Sequence, residues 1–493
     1  MIAANLPALL IVVPLIAAPL CLLLRRDGLA WGLALLVSWA ALAMSILLLI
    51  QVLSEGTISY IMGGWAAPWG IEYRVDTLNA FVLLIVSSVG AVILPYARRS
   101  VAHEIPAEQH SAFYTAFLLC LTGLLGVTIT GDAFNLFVFL EISSLSSYVL
   151  IAMGRDRRAL TAAFQYLVMG TIGATFIVIG IGLLYMMTGT LNMADLAQRL
   201  PPMEQNRTVL VAFAFLTVGA SLKLALFPLH LWLPNAYTYA PSVITGFLAA
   251  TATKVGVYIL LRFFFTVFGP GFDIQSITLQ SLLIPLAVIA VLVCSIVAIF
   301  QNNVKCMLAY SSLAQIGYMV LGIGMGSSTG LTAGIVHLFN HAMMKGGLFL
   351  ALGSVFLRVG SVRLDSMQGL GRTMPWTMFA FVLGGLSVIG MPLTVGFISK
   401  WYLVQAALEQ GSWALAVLIL VGSLLAVIYI WRVVEVAYLR PPPPGASAVR
   451  EAPLSMLIPT WTLIAASIYF GIDTSLTVGI ARQAADMLLA SAP

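Results

Sequence analysis

Charged residues are scarce in this chain of 493 residues, and their scarcity excludes most classes of soluble protein. Only 8% of the residues are Asp, Glu, Lys or Arg, whereas soluble domains carry about 25%. Hydrophobic residues make up 61% of the sequence, so most of the chain must face lipid or other apolar helices. The net charge of +5 does not indicate nucleic-acid binding, because the basic residues are scattered and form no stripe or tail.

Motifs of cofactor and covalent chemistry are also missing. Cys21, Cys120, Cys294 and Cys306 show neither CxxC nor His/Cys spacing, which argues against a disulfide framework, a metal site and an iron–sulfur cluster. The sequence contains no Gly-rich phosphate loop, dinucleotide fingerprint or nucleophile elbow. We therefore predict no cofactor and no metal, and we do not expect the chain to be an enzyme on its own. Any redox chemistry would come from another subunit.

Long, continuous apolar runs are what the chain does contain, and they predict an all-α polytopic membrane protein with about fourteen spans. Alternation of period two, the mark of a transmembrane barrel, is absent. The first run predicts a helix rather than a cleaved signal peptide, since Arg25 and Arg26 follow it without a cleavage pattern. The tail 474–491 predicts a short interfacial helix. The predicted spans are approximately 5–24, 29–52, 77–97, 112–130, 133–153, 162–188, 208–228, 241–267, 279–300, 308–326, 330–357, 376–400, 408–437 and 453–471.

The basic residues of the connections predict the orientation in the membrane. Odd-numbered connections hold about 13 Lys and Arg residues, Lys305 among them, and even-numbered ones hold about 4, Arg262 among them. This bias places the odd connections in the cytoplasm and both termini outside. The expected location is therefore the cell (inner) membrane, crossed many times.

Four lysines lie inside the apolar runs: Lys223, Lys254, Lys345 and Lys400. A charge at the bilayer centre costs at least ~2.5–3.5 kcal/mol, so such residues usually mark an ion or proton pathway. The structural alternative is a lysine that extends its ammonium group to the membrane interface. The depth of Lys223 and Lys254 in their runs favours the functional interpretation, whereas Lys400, beside Trp401, fits either.

Glu141 closes a run of apolar residues in NLFVFLEISSLSSYVLI. A buried carboxylate needs a partner, and lysines are the cations available inside the membrane. We therefore predict a Glu–Lys pair whose strength changes with protonation, with a static pair joining two helices as the structural alternative. Asp132, at a Gly–Asp turn, predicts a helix N-cap rather than a proton carrier.

His337, His341 and Lys345 are spaced at i, i+4 and i+8 in HLFNHAMMKGGLFL, which places them on one helix face. Histidine titrates near neutral pH, so this column predicts a proton relay through water. Two histidines at this spacing can also bind a metal ion, but no further ligand lies nearby in the sequence. Core histidines with satisfied hydrogen bonds are the structural alternative.

Helix-breaking residues interrupt two of the runs. Pro228 and Pro234 occur in FPLHLWLPNAY, and Gly390 and Pro392 occur in SVIGMPLTVGFISKW. The two breaks lie about 164 residues apart, each near an intramembrane lysine, which predicts an internal repeat with the transport path at the breaks. His230 adjoins the first break and is a secondary candidate for the path. Four prolines at 441–444 predict a stiff linker.

These stretches resemble the antiporter-like membrane subunits shared by respiratory complex I, membrane-bound hydrogenases and Mrp-type cation/proton antiporters. The resemblance covers nearly the whole chain in the family's order. The segment GDAFNLFVFLEISSLSSYVLI and the chain length are most similar to the D-type subunit of the Mrp antiporters. The other matching segments are LKLALFPLHLWLPNAYTYAPSVITGFLAATATKVGVY, NNVKCMLAYSSLAQIGYM, HLFNHAMMKGGLFLALG and GMPLTVGFISKWYL.

The resemblance implies fourteen helices with two inverted five-helix repeats, each containing a broken helix. Three N-terminal helices would occupy 1–110, the two repeats 111–268 and 279–437, and a linker, the last helix and a tail 438–493. It also implies a hydrophilic axis across the membrane plane. On that axis Glu141 would pair with Lys223, Lys254 would bridge the halves, Lys400 would end the second half-channel, and His337 and His341 would connect them.

Two residues depart from the Mrp pattern. Asn235 stands where WLPDA is usual, and His230 gives FPLHLWLP, which is closer to complex I and hydrogenase subunits. The first hypothesis is a proton-translocating subunit of a multi-subunit Mrp-type antiporter of H⁺ and Na⁺ or another monovalent cation, with other membrane subunits as partners. The second is the equivalent pump module of a complex I-like or hydrogenase complex. A third is a scaffold with a vestigial polar line, which the retained buried charges argue against.

Overall fold

The computed structural model describes residues 3–24, 27–442 and 449–490, and within them one hairpin stands among helices. In the hairpin, β1 (Ile58–Ile61) pairs antiparallel with β2 (Glu72–Val75), with Ile58 opposite Val75. The helices up to the first predicted break are α1 (Leu6–Leu23), α2 (Asp27–Glu55), α3 (Thr77–Glu104), α4 (His110–Ile129), α5 (Ala133–Ala152), α6 (Arg158–Thr188), α7 (Met193–Arg199) and α8 (Arg207–Leu224). The others are α9 (Trp232–Tyr239), α10 (Ser242–Ala250), α11 (Ala252–Leu261), α12 (Asp273–Thr278), α13 (Ile284–Ile299), α14 (Val304–Gly324), α15 (Ser328–Val359), α16 (Leu370–Thr373), α17 (Pro375–Ile389), α18 (Val395–Glu409), α19 (Trp413–Val434), α20 (Leu454–Ile472) and α21 (Ser475–Ala490).

The prediction of an all-α polytopic membrane protein is confirmed. Thirteen helices of the described ranges are long and apolar enough to cross a membrane, or fourteen if the bent pair Leu364–Thr373 and Pro375–Ile389 is one span. The predicted span 376–400 divides into α17 and α18 at the predicted break around Gly390 and Pro392. The residues Arg25, Arg26, Pro443 and Pro444 of the predictions lie outside the described residues.

Helix α15 lies at the centre of the bundle. It packs against α10, α14, α17, α18, α20 and α21, and its residues from Gly330 to Val355 are buried. Apolar side chains surround it on all sides, as expected for a helix that touches protein rather than lipid. The histidines and the lysine on α15 are therefore held far from the lipid-facing surface.

Polar caps define the start of several helices. Asp132 accepts a hydrogen bond from the backbone N–H of Asn135 at 2.7 Å, which confirms the predicted N-cap of α5. Asp76 caps α3 in the same way and forms a capping box with Asn79. Such caps satisfy backbone N–H groups that have no partner inside the helix.

The first predicted break separates α8 from α9. Helix α8 ends at Ala225, whose φ of 60° is left-handed, and the chain turns through 226–231 before α9 begins. Pro228 lies in this turn. Pro234, by contrast, does not interrupt a helix: it lies in the first turn of α9, where a missing backbone N–H leaves no hydrogen bond unmade. The indole of Trp232 donates to the carbonyl of Leu222 at 3.1 Å and so occupies an acceptor freed by the break.

The second predicted break separates α17 from α18. Helix α17 ends at Gly390, with φ of 92°, and α18 starts at Val395. Gly390 and Pro392 both lie in the interruption. A third break was not predicted: Thr251, with φ of −126° and ψ of −60°, separates α10 from α11 inside the expected span 241–267. No proline marks this position, so helix-breaker composition gave no signal for it.

Connections with odd and even numbers lie at opposite ends of the bundle. One cavity is lined by residues near 154–158, 239–241, 300–303 and 360–363, all from odd connections. Another is lined by residues of 74–79, 130–131, 193–198 and 487–490, which belong to even connections and the tail. We name the second end, which carries the β1–β2 hairpin, the hairpin end, and the first the arginine end.

Two basic residues do not lie in connections as predicted. Arg262 lies within the span Ser242–Phe268 and is buried, and Lys305 lies within Val304–Gly324 and is buried. Lys305 lies between the predicted spans 279–300 and 308–326, whereas Arg262 lies inside the predicted span 241–267. Lys305 no longer counts with the odd-numbered connections, and Arg262 no longer counts with the even-numbered ones. The odd-numbered connections therefore still hold the excess of basic residues.

The tail forms α21, and one of its faces is protein-bound. The residues Thr477, Ile480, Ala481, Ala484, Ala485 and Leu488 are buried, and the helix packs against α15 and α3. The hydroxyl of Ser328 donates to Asp486 at 2.5 Å. The expected helix is present, and its apolar face is covered by the bundle.

Candidate functional site

All five lysines of the chain are buried. They are exposed by 0–6% of their surface, and the basic residues that lie in connections are arginines. Lysine can lose its proton when it is desolvated, whereas arginine remains charged in proteins. The separation of the two residue types therefore places the cations that can exchange protons inside the bundle. The five are Lys223, Lys254, Lys305, Lys345 and Lys400.

Lys223 and Glu141 form an ion pair at the first break. Lys223 Nζ lies 3.7 Å from Glu141 Oε1 and donates to Ser144 Oγ at 2.9 Å. Lys223 belongs to the last turn of α8, and Glu141 lies three residues before Ser144 on α5. The Lys223 side chain is 4% exposed and the Glu141 side chain 25% exposed. A separation of 3.7 Å is longer than a charge-assisted hydrogen bond, so small movements change the strength of this pair strongly.

Lys254 lies beside the unpredicted break. Its ammonium group donates to the carbonyl of Ala249 at the end of α10, and to Thr253 Oγ1 at 3.4 Å. The break frees backbone carbonyls that a continuous helix would use, and a buried ammonium group can occupy them. Lys254 is thus held by neutral oxygens and not by a carboxylate.

Lys400 occupies the equivalent position at the second break. Its ammonium group donates to the carbonyls of Val388 and Ile389, both at 2.9 Å, in the last turn of α17. It also lies 5.0 Å from the centre of the Tyr318 ring. A cation is stabilised at a helix C-terminus by the partial negative charge of the free carbonyls.

The two histidines of α15 lie between these lysines. His337 Nδ1 is 2.7 Å from Ser399 Oγ, the residue before Lys400. The His337 and His341 rings stack with centroids 6.0 Å apart. Within the described residues, three ring nitrogens have no hydrogen-bond partner: both nitrogens of His341 and Nε2 of His337. Buried polar atoms of this kind normally bind water, so the pair fits a hydrated line.

Electrostatic neighbours join these groups into one series. His341 lies within electrostatic range of Lys254 and Lys345, and His337 lies within range of Lys400 and Lys254. Lys345 itself donates to the carbonyl of Leu308 at 3.0 Å and to Ser311 Oγ at 2.7 Å. The structure therefore brings Lys254, His341, His337 and Lys400 together, with Lys345 on a side branch.

The secondary candidate His230 lies away from this series, and so does Asn235, which departs from the Mrp pattern. His230 packs its ring on Phe227, with centroids 5.2 Å apart, in the turn between α8 and α9. Asn235, at the position of the family's carboxylate, donates to Gln165 Oε1 at 2.8 Å. No group of three His, Cys, Asp or Glu side chains suited to a metal ion occurs in the residues that the structure describes.

Sequence reasoning missed the hydroxyl groups that hold the charges and one whole ion pair. Ser144 and Ser399 contact Lys223 and His337, yet a serine in an apolar run carries no distinctive signal. The missed ion pair joins Arg262 Nη2 to Asp76 Oδ1 at 2.6 Å, and the two side chains are 6% and 7% exposed. These two residues are 186 positions apart, so only the packing of α3 on α11 reveals them.

The candidate residues are side chains that can gain or lose protons, gathered in the interior of the bundle. Glu141 and Lys223 interact as a pair, and Lys254, His341, His337 and Lys400 lie within electrostatic range of one another in a low-dielectric interior. Two unit charges about 4 Å apart interact by about 4 kcal/mol at an effective dielectric constant of about 20. A proton that arrives at one group therefore changes the charge state favoured at its neighbour.

Comparison with known proteins places this geometry in context. Residues 130–426 match the protein family described as NADH:quinone oxidoreductase/Mrp antiporter, TM. The N subunit of the NADH-quinone oxidoreductase of Desulforudis audaxviator (strain MP104C) is 44% identical over 475 residues, which cover 93% of this chain and 94% of that protein. The D subunit of the Na(+)/H(+) antiporter of Alkalihalophilus pseudofirmus is 31% identical over 451 residues, which cover 91% of this chain and 90% of that protein.

Two solved structures contain chains with the same fold. A chain of the Mrp complex from Dietzia sp. DQ12-45-1b matches with a TM-score of 0.91 and 25% identity, covering 99% of this chain and 98% of that one. A chain of the membrane-bound sulfane sulfur reductase, an archaeal respiratory membrane complex, matches with a TM-score of 0.89 and 31% identity, covering 98% of both.

Proposed function

Because this chain belongs to the family described as NADH:quinone oxidoreductase/Mrp antiporter, TM, we propose that it is a proton-translocating membrane subunit of a multi-subunit Mrp-type monovalent cation/proton antiporter. The observation that carries the proposal is the Glu141–Lys223 pair at the first break, followed by buried lysines and histidines that reach the second break. Its partners are the other membrane subunits of the complex, and its transported ions are H⁺ and Na⁺ or another monovalent cation.

The mechanism follows from the charges of six residues that we call the charged line: Glu141, Lys223, Lys254, His341, His337 and Lys400. While Glu141 is ionised it holds the proton on Lys223, and a proton that reaches Glu141 weakens this attraction. Lys223 then releases its proton toward Lys254, through water, because the positive charge is no longer compensated. Lys254 passes charge to His341 and His337, and Lys400 receives it at the second break. Neutral oxygens around Lys254 and Lys400 allow both charge states, since no fixed carboxylate locks the ammonium form.

The division into repeats belongs to the same proposal. Residues 111–268 and 279–437 form two inverted repeats, with α8–α9 and α17–α18 as their broken helices, between N-terminal helices in 1–110 and the end of the chain in 438–493. The lysine precedes the interruption in the first repeat and follows it in the second. This reversed order supports an inverted relation of the repeats.

The arginine end faces the cytoplasm in this proposal. The excess of basic residues in odd connections supports that orientation, which places the termini and the β1–β2 hairpin on the outer side of the cell membrane. Protons would then enter and leave the line at opposite ends of the two repeats.

A second candidate is the proton-pumping membrane subunit of a complex I-like NADH:quinone oxidoreductase or of a membrane-bound hydrogenase. The 44% identity to a protein named as the N subunit of an NADH-quinone oxidoreductase favours it, as does the sequence FPLHLWLP around His230. The line of charges would work in the same way, and partner subunits would supply electrons. Purification of the native complex separates the two: iron–sulfur, flavin or nickel subunits favour this candidate, and a complex made only of membrane subunits favours the antiporter.

The proposed function is tested by removing each charge of the first pair at nearly constant size. We expect Glu141→Gln and Lys223→Met to abolish ion-driven proton movement in vesicles while the complex still assembles, because each leaves the line without its charge switch. Asp156→Asn is the matched control, since it removes one charge of an exposed pair with Arg158. Transport at the wild-type rate by both variants would contradict the proposal, and loss of the assembled complex would show a structural pair.

A further inference from the structure

A cavity of about 340 Å³ lies at the hairpin end, away from both helix breaks. It is large enough to hold several water molecules, and polar side chains on its wall can bind them. Even-numbered connections, the end of α11 and the tail helix α21 form its walls. Its polar side chains include Arg74, Asp76, Asn79, Gln198, Tyr258 and Arg262. The wall of the cavity includes both partners of the buried Asp76–Arg262 ion pair, so water that entered it would meet these charges.

One face of α11 connects this cavity to the charged line. Lys254 and Tyr258 lie on α11, and Arg262 begins the π-helical segment Arg262–Phe268 that continues it. The three follow at i, i+4 and i+8, so they lie on one side of the continuous helix. Successive members are about 6 Å apart along the axis. Tyr258 and Arg262 line the cavity, and Lys254 lies one turn deeper. A single polar face therefore runs from the middle of the line to the cavity.

The Asp76–Arg262 pair closes this route. Arg262 Nη2 donates to Asp76 Oδ1 at 2.6 Å, and Arg262 Nε donates to the Tyr258 hydroxyl at 2.9 Å. The Tyr258 hydroxyl donates in turn to the carbonyl of Thr128, at 2.7 Å, near the end of α4. The three side chains join the end of α11 to the start of α3 and the end of α4, and Tyr258 lies between Lys254 and Arg262 along the helix.

Helix capping alone does not account for this ion pair. Asp76 caps α3 through hydrogen bonds from Leu78 and Asn79, a task that asparagine performs as well. A buried ion pair generally adds little stability over apolar residues of the same volume, since desolvation offsets the attraction. The charge of Asp76 and its arginine partner therefore point to a role beyond holding the helix.

We infer that this cavity is a mouth of the ion path at the hairpin end, separate from the Lys400 end, with Asp76, Tyr258 and Arg262 as its gate. The inference rests on the proposed function. A proton taken by Asp76 from cavity water neutralises the carboxylate and releases Arg262. Water then reaches Tyr258 and Lys254, and the proton passes between them and the cavity.

Chemical blockade of the cavity tests the inference in the whole complex. Gln198→Cys places a thiol on the cavity wall, and Gln205→Cys places one in the same connection but away from the cavity. Both are made in a Cys306→Ser background, since Cys306 lines the cavity at the arginine end and is not fully buried. A cationic, membrane-impermeant methanethiosulfonate reagent is added at the hairpin end, and labelling is followed by mass.

We expect the reagent to remove most of the proton flux of Gln198→Cys and to leave that of Gln205→Cys unchanged. Complete labelling of Gln198→Cys without loss of flux would overturn the inference while the proposed function stands. Failure of the proposed function is distinct, because proton movement would then be insensitive to Glu141→Gln in the unlabelled complex.

A second variant tests the gate without a label. Asp76→Asn combined with Arg262→Gln removes both charges and keeps hydrogen-bonding groups at both positions. We expect vesicles with this variant to dissipate an imposed pH gradient faster than wild-type vesicles, because the barrier between cavity and Lys254 is weakened. If the assembled double variant dissipates the pH gradient at the wild-type rate and transports ions at the wild-type rate, the proposed role of these residues as a gate is contradicted.

Discussion

Four of the five buried ammonium groups in this chain are held by neutral oxygens of the backbone or of hydroxyl groups. Lys254, Lys305, Lys345 and Lys400 all donate to carbonyls, whereas Lys223 has Glu141 as its ionised partner. A carbonyl stabilises an ammonium ion through its dipole, less strongly than a carboxylate would. These lysines are therefore held in place without being fixed in the charged form, which is what a proton carrier requires.

At the residue scale, the Lys400→Arg variant tests whether Lys400 must release a proton, because it keeps the positive charge and removes the ability to lose it. Arginine keeps the positive charge and can donate to the carbonyls of Val388 and Ile389, but it cannot lose its proton in a protein. We expect proton flux to fall by roughly a hundredfold, the scale on which proton-transfer groups act, with the complex still assembled. Arg482→Lys, the reverse exchange at an exposed site of α21, is the control. Normal flux in Lys400→Arg would show that Lys400 carries no proton.

Close approaches between helices hold the lysines at their distances. Gly256 on α11 faces the last turn of α8, and a Cβ at this position would lie 2.9–3.0 Å from the backbone and Cβ of Leu224, the neighbour of Lys223. Contact at this distance forces one helix to move. The spacing between Lys223 and Lys254 thus depends on a residue that carries no charge.

At the scale of elements, Gly256→Ala is expected to push α11 away from α8. The overpacking should destabilise the protein by roughly 1–3 kcal/mol and lower the proton flux, because the gap between Lys223 and Lys254 widens. Gly182→Ala on α6 meets nothing within 4 Å, so it should be neutral or stabilise the helix by up to about 1 kcal/mol. Thermal unfolding of the purified complex and flux in vesicles measure both effects. Equal behaviour of the two variants would refute the close-contact argument.

Two glycines with left-handed backbone conformations separate the effect of backbone strain from the effect of contact with Lys400. Gly390→Ala adds a Cβ at φ of 92° and 3.0 Å from Cδ of Lys400. Gly411→Ala adds one at φ of 71° with nothing within 4 Å. Both should lose about 1–3 kcal/mol from left-handed strain, but only Gly390→Ala should also reduce proton flux, since it displaces the Lys400 ammonium group. Reduced flux in both variants would attribute the effect to strain alone.

The whole molecule has two chemically different ends. The arginine end has a cavity of about 790 Å³ beside Arg155, Arg158 and Arg363, and the hairpin end has a smaller cavity with the Asp76–Arg262 pair. Between them, the buried line runs across the bundle from the first break to the second. This separation gives one protein two sides for exchange with water.

At the scale of the whole molecule, the basic bias predicts which end meets the cytoplasm. Asp156→Cys at the arginine end should react with a membrane-impermeant thiol reagent in inside-out vesicles only. Gln205→Cys at the hairpin end should react in right-side-out vesicles only, because arginine-rich short connections stay on the cytoplasmic side. The opposite pattern would reverse the proposed orientation and both of its ends.

Much of the fold was predictable because its signals are local. Hydropathy over about 20 residues predicts a span, and Pro228 and Gly390 mark breaks through their own backbone preferences. The break at Thr251 was not predictable in this way, since its sequence has no proline. The burial of Lys305 also escaped prediction, because it lies just before an apolar run and looks like a connection residue. Arg262, in contrast, lies inside the predicted span 241–267, so hydropathy did not exclude its burial.

The sequence by itself determined the membrane class, the number of apolar runs, the two proline- or glycine-marked breaks and the unusual placement of lysines. These properties depend on residue type and on neighbours a few positions away. Only the tertiary structure decided that Ser399 holds His337 and that Asp76 meets Arg262. Partners of this kind come from helices far apart in the chain, and their identity depends on how whole helices pack, which no local pattern encodes.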